Sequence, residues 1–195
     1  MTLAKFGEGL FQRLPGGRES TQRPFVCDGS PLNCSTFIVG YNNAYDIGPF
    51  RQVWSDQTGF NKSAFDDLYI QKGGKPNNRT TNRYWINLIS KAVGQCVETN
   101  IFSKDTKTAR SLSAEDKSTE VFDYIFKSVK PSAVFCFNSK TVKELERRLG
   151  VSIPLISDRV ELLPVTMFDH SFHIIGYDHG WLSKAAPYMA CTRFG

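Results

Sequence analysis

Two hydrophobic patterns alternate along the chain. "TFIVGYN" (36–42) and "SAVFCFN" (132–138) are nearly unbroken apolar runs rich in β-branched and aromatic residues. That is the form of strands buried on both faces of a sheet. "CVETNIFS" (96–103) reads as another strand, and 160–178 as a strand, a turn near Asp169–His170 and a returning strand. Segments of helical period lie between. Residues 5–13 predict a short amphipathic helix closed by "LPGG", and 80–94 a longer one, capped by Thr80 or Thr81 and stopped by Gly94. Trp85, Leu88, Ile89 and Ala92 share a face of it. Ser113-x-x-Asp116 resembles a capping box ahead of a long helix that buries Val121, Phe122, Ile125, Phe126 and Val129. Thr141-x-x-Glu144 opens a further helix ended by Gly150, and "HGWLSKAAPYMA" begins a last one. Residues 46–78 show no clear period. Phe50, Trp54, Phe60, Phe65 and Tyr69 stand there among polar residues, and "KGGKPNN" reads as a flexible basic loop.

Strands alternating with helices predict an α/β fold built on a mainly parallel sheet. The 195 residues suit a single domain over 25–195, preceded by a segment (1–24) with a short helix. Ligands of such sheets bind beyond the C-terminal strand ends. The residues that follow the strands are therefore of interest: Asn42 and Asn43, Asn100, Asn138 and His179.

Charge and composition narrow the picture only a little. A net charge of +5 fits a polyanionic partner, and equally an ordinary solvated surface. The five cysteines contain no C-x-x-C, which argues against a zinc ribbon, a thioredoxin-like site or a cysteine-held iron–sulfur cluster. Cys96 and Cys136, set in apolar runs, read as small buried residues, and this cysteine usage suits a reducing compartment. The three histidines, His170, His173 and His179, have no second group of ligands beside them, so no metal is expected. "MTLAKFGEGLFQRLPGG" lacks the apolar core of a secretory signal, and no span is long enough to cross a bilayer. The expectation is an intracellular protein, cytoplasmic or nuclear, with no membrane partner.

"VGYNNAYD" (39–46), then "ETNIFS" (98–103), then a buried strand, then a histidine closing the last strand, resembles the uracil-DNA glycosylase superfamily. The likeness runs in order and spacing over about residues 25–190. It implies a three-layer α/β/α fold with a short, mainly parallel central sheet. It also implies a monomeric enzyme that flips uracil or a related deaminated base out of DNA and hydrolyses the N-glycosidic bond without a cofactor.

Residue by residue, Gly40-Tyr41-Asn42-Asn43-Ala44 falls on the family's first motif, with Asn43 where proline is usual. The resemblance makes Asn42 the holder of the hydrolytic water. A neutral amide stabilises oxocarbenium-like charge poorly, so a slow enzyme is expected. Ala44 leaves room for a 5-substituent on the base. Asn100 would pair with the Watson–Crick edge, a planar amide offering both donor and acceptor. Phe50 would stack on the base, with Tyr45 and Trp54 as alternatives. His179 would stabilise the departing anion, although His179-Gly-Trp-Leu-Ser183 lacks the usual His-Pro-Ser and His170-Ser171 is a rival. Trp181 or Leu182 would wedge into the duplex. Ser183, Lys184, Lys75, Arg79 and Lys104 would contact the backbone. The residues alone allow plainer roles: Asn42 in an Asx turn, Asn100 capping a turn, and the aromatics packing the core. They also admit a non-catalytic binding protein of the same fold, or a hydrolase of small nucleosides.

Overall fold

The computed structural model describes residues 1–43, 48–74, 81–106, 111–155 and 162–177. In chain order these form α1 (Leu3–Phe11), β1 (Phe25–Val26), β2 (Thr36–Asn43), β3 (Trp54–Ser55), β4 (Gly59–Phe60), α2 (Lys62–Gln71), α3 (Thr81–Val93), β5 (Cys96–Asp105), α4 (Glu120–Val129), β6 (Ala133–Phe137), α5 (Ser139–Leu149), β7 (Leu163–Met167) and β8 (His170–Tyr177). The main sheet has the order β1-β5-β2-β6-β8-β7, and β3 pairs with β4 in a separate ribbon. The four central strands β5, β2, β6 and β8 run parallel, and β1 and β7 flank them antiparallel.

The apolar runs alternate across this sheet, as a doubly covered strand requires. Phe37, Val39, Val134, Cys136, Phe172 and Ile174 belong to the larger core, with Phe122, Ile125 and Phe126 of α4 and Val142 and Leu145 of α5. Phe126 sets its ring edge-on against Phe37 (5.7 Å) and Phe172 (5.0 Å). Ile38, Phe135, Phe137 and Ile175 face the other way and pack with Ile89 of α3. Helices thus cover both faces, an arrangement compatible with three α/β/α layers. The N-terminal segment joins the larger core: Thr2 Oγ1 accepts from the Lys5 amide, and Phe6, Leu10 and Phe11 of α1 are buried beside Phe25, Phe50 and Trp54.

Five sequence expectations need correction here. The aperiodic stretch after Phe60 holds α2, whose Asn61 side chain caps the Ala64 amide at 3.0 Å and whose Phe65 alone is fully buried. In α3, Ala92 is exposed, so the apolar stripe is narrower than its spacing suggests. Ser113 and Asp116 do exchange the reciprocal bonds of a capping box (3.1 and 3.2 Å), yet α4 starts only at Glu120, after Thr119. The cap of α5 is Asn138, which accepts from the Thr141 amide at 3.0 Å, rather than Thr141. Finally, Asn100 is not at a strand end, because β5 continues to Asp105. The helix expected from residue 179 onward lies outside the described residues.

Among the described residues no helix is long and apolar enough to cross a membrane.

Candidate functional site

The C-terminal ends of β5, β2, β6 and β8 meet at one edge of the sheet. Along β2 the side chains alternate, so Ile38, Gly40 and Asn42 share the face covered by α3 while Tyr41 lies with the larger core. Gly40 is paired with Asn100 on β5. A β-carbon built on Gly40 would overlap Asn100 Oδ1, so the Asn100 carboxamide lies across the bare Cα of Gly40. Only glycine leaves that space.

Asn42, one residue pair further along, is half-buried. Its Nδ2 donates to the carbonyl oxygen of Thr106 (3.2 Å) and to Thr106 Oγ1 (2.8 Å). A backbone carbonyl can only accept, which fixes the amide orientation: nitrogen toward Thr106, carbonyl oxygen Oδ1 on the opposite side. Just beyond, the pairing slips. Asn42 pairs with Phe102 but Asn43 pairs with Asp105, leaving Ser103 and Lys104 in an irregularity on β5. Bulges of this kind re-aim side chains and are common beside binding sites. Ser103 is anchored to Gln22 Oε1 (2.8 Å), and Lys104 is exposed at this edge.

Tyr41 is half-buried, edge-on to Phe102 at 5.0 Å, with Lys140 Nζ 5.9 Å from its ring centre. Desolvation, with the Glu144 charge second, holds its hydroxyl above the usual tyrosine range, so the phenol is neutral near neutrality. Asn138 ends β6 at the same edge in a backbone conformation rare for a non-glycine residue (φ 116°). Its Oδ1 is engaged by the Thr141 amide and Thr141 Oγ1, so it serves α5 as a cap.

Behind Asn100 on the same face, Glu98 pairs with Arg83 of α3 at 2.6 Å. Both side chains are nearly buried, 12% and 13% exposed. Burial alone would lower the Arg83 pKa. The Glu98 charge and hydrogen bond, helped by Tyr69 and Asp66, outweigh it and hold the guanidinium above its ordinary value. The pair clamps α3 onto β5 next to Asn100.

Gly40, Asn42 and Asn100 are thus brought to one face of the sheet, Tyr41 lies on the other face, and Lys104 is exposed near the same edge. Phe50 is not there. Its ring has no exposed surface and packs against Phe25 (5.5 Å), Phe60 (5.9 Å), Phe11 (6.1 Å) and Trp54 (6.2 Å). No face of it is open to a flipped base, and Trp54 is buried in the same cluster. His170 is also misplaced for this edge. It begins β8, at the opposite end of the parallel strands, where its Nε2 donates to the Pro131 carbonyl at 2.7 Å. His173 is exposed near the same end. Of Asn43 only the backbone is described. Ala44, Tyr45, Lys75, Arg79, His179, Trp181, Leu182, Ser183 and Lys184 lie outside the described residues.

Thr106 and Lys140 do not stand out in the sequence, and Arg83, by sequence a basic residue available to phosphates, is instead nearly buried against Glu98. Thr106 carries no signal in the sequence, because the strand expected over 96–103 in fact runs on to Asp105.

A cavity of about 310 Å³ lies elsewhere, between the end of α5 and β7, lined by Leu149, Val151, Pro164, Val165, Thr166 and Ser171. Only two hydroxyls face it, too little polar chemistry for a reaction, and it sits away from the Asn42 edge. Among the described residues no group of three or more histidine, cysteine or carboxylate side chains could hold a metal ion. Compared with known proteins, the chain matches no protein-family model and no curated protein.

Proposed function

We propose that the chain is a DNA glycosylase with the uracil-DNA glycosylase-like form of the three-layer α/β/α fold. It acts as an intracellular monomer on DNA carrying uracil or a related deaminated base. The observation that carries this reading is the Gly40–Asn100–Asn42 arrangement: two carboxamides on one face of the neighbouring strands β2 and β5, Asn100 within β5 and seated over a glycine, Asn42 nearer the C-terminal edge and oriented by Thr106.

The chemistry needs few groups. A flipped base is read through its Watson–Crick edge by Asn100, which offers an acceptor to N3–H and a donor to O4. Asn42 Oδ1 accepts a hydrogen bond from water and directs its oxygen at C1′. The C1′–N bond breaks, its electrons leave with the base, and His179 donates a hydrogen bond to O2 of the departing anion. Water supplies the new C1′–O bond, the proton it gives up neutralises the released base anion, and an abasic site remains. A neutral Asn42 stabilises the sugar cation weakly, which makes the reaction slow. Lys104 and Lys140 add positive charge at the rim, where phosphates would lie.

Burial of Phe50 favours a second reading, a non-catalytic DNA-binding member of the same fold, because it removes the stacking partner expected for the base. Incubating purified protein with single- and double-stranded uracil-containing oligonucleotides separates the two. Release of free base supports the enzyme. Salt-sensitive binding without release supports the second reading, and neither binding nor release defeats both.

A further inference from the structure

We propose that Pro164 is an edge guard: it denies the outer rim of the sheet at β7 to a further strand and so keeps copies of this chain from pairing edge to edge. The inference is independent of the glycosylase reading, because β6 and β8 stand between β7 and the strand that carries Asn42.

A sheet of this order has two open sides, β1 and β7. An edge strand presents unpaired N–H and C=O groups, which are a template for another chain. β1 is short, only Phe25–Val26, and follows directly on Pro24. On the other side the far end of β8 is covered by the chain itself. The Gly176 amide donates to the Pro154 carbonyl at 2.9 Å, and Leu155 bridges to Gly176. That leaves the five residues of β7, which have no further strand beside them among the described residues.

β7 lies in a segment built to pair. Leu162-Leu163-Pro164-Val165-Thr166-Met167-Phe168 carries no charge, and Glu161 and Asp169 bound it. Uncharged, β-favouring stretches of this length without proline are the signature of cross-β association. Pro164 is the one residue that breaks this stretch. The cavity of about 310 Å³ beside β7 takes Leu149, Val151 and Val165 into its lining, so apolar surface borders the strand as well.

The register decides what the proline removes. The His173 amide donates to the Ser132 carbonyl at 2.9 Å, on the β6 side of β8. Across the hairpin His173 stands opposite Pro164. This pair therefore has no ladder hydrogen bonds between its members, and the Pro164 nitrogen faces away from β8, toward the open side. The two-residue turn at Phe168 and Asp169, with φ 55° and 59°, fixes the same register from the other end. By alternation Thr166, opposite Ser171, holds the other outward position of β7. Proline thus leaves the bonds to β8 intact and deletes one of the two outward donors.

The test compares the full-length wild type, Pro164→Thr, and the double variant Pro164→Thr, Thr166→Pro, which moves the proline to the other outward position. Light scattering over a concentration series gives the mass, and amide exchange followed by NMR gives protection at 164, 166 and 173. In the wild type the Thr166 amide should exchange fast while that of His173 is protected. Pro164→Thr should double in mass or grow larger as concentration rises, with the amides of 164 and 166 becoming protected. The double variant should return to the wild-type mass. The proposal is overturned if the wild-type Thr166 amide is as protected as that of His173, because the edge is then already covered; this measurement needs no variant to fold. It is also overturned if Pro164→Thr, folded by circular dichroism, keeps the wild-type mass at every concentration. Association of the double variant to the same extent as Pro164→Thr overturns it too, since the restored donor would then not be the cause.

Discussion

The carboxamide of Asn100 rests on the bare Cα of Gly40, its partner on the neighbouring parallel strand. A methyl group at Gly40 would meet only the far end of that side chain, which can swing aside. Gly40→Ala should therefore cost little stability, about 1 kcal/mol at the low end for overpacking, while displacing the base-reading amide. Thermal unfolding should be nearly unchanged and discrimination between uracil and cytosine should weaken. A large loss of stability with unchanged discrimination would show that the contact is only packing.

Thr106 orients Asn42 through one backbone and one side-chain acceptor. Thr106→Val removes the second and keeps the first. A net hydrogen bond is worth about 0.5–1.5 kcal/mol, so turnover should fall by roughly three- to tenfold with DNA affinity unchanged. Single-turnover base release and a binding titration, run on the same preparation, separate the two effects.

Arg83 and Glu98 form a nearly buried pair, and removing one partner strands the other's charge. Arg83→Met should cost about 3–5 kcal/mol. The double variant Arg83→Met, Glu98→Gln should recover part of that loss, because no uncompensated charge remains. Urea denaturation of the two variants checks the order. A double variant less stable than Arg83→Met would contradict it.

Asp56 ties Arg18, in the short turn Gly17–Glu19 that follows α1, to the β3–β4 ribbon. It accepts from Trp54 Nε1 (2.9 Å) and Arg18 Nη2 (2.6 Å), and the Trp54 bond followed by the Arg18 bond holds its carboxyl below the usual range. A depressed pKa means that the unfolded chain takes up the proton first on acidification. The contribution of Asp56 to stability is then complete above the unfolded value, about 4, and disappears as pH falls through the lower folded value. Asp56→Asn should destabilise the protein at neutral pH and match the wild type in strong acid, as read from urea midpoints across the range.

The parts of this fold that announce themselves in sequence are those where one local pattern decides. The unbroken runs around Ile38 and Phe135 could be little else than doubly covered strands. The stripe Val121, Phe122, Ile125, Phe126 had to be a helix face. Where the deciding contact is remote in sequence, the pattern misleads. Phe50 looked like a loop aromatic beside the first motif, but its partners Phe11 and Phe25 come from elements far up the chain. Asn100 looked like a strand end because a polar residue interrupts the apolar run. Its amide instead uses the space left by Gly40, which no pattern within β5 reveals. α2 escaped because it turns only Phe65 fully inward, too little for a period to show. The convergence of Asn42 and Asn100 was legible only through the family resemblance, and Thr106 behind Asn42 required coordinates.

The most direct test of the account is single-turnover release of free base from a uracil-containing oligonucleotide by the wild type and by Asn42→Ala, with binding measured alongside. The wild type should release base slowly. Asn42→Ala should release it about 10²–10³-fold more slowly still, the loss typical of one group at a reacting centre, with DNA affinity nearly intact. Equal release by the two proteins, or none by the wild type in single- or double-stranded DNA, would contradict it.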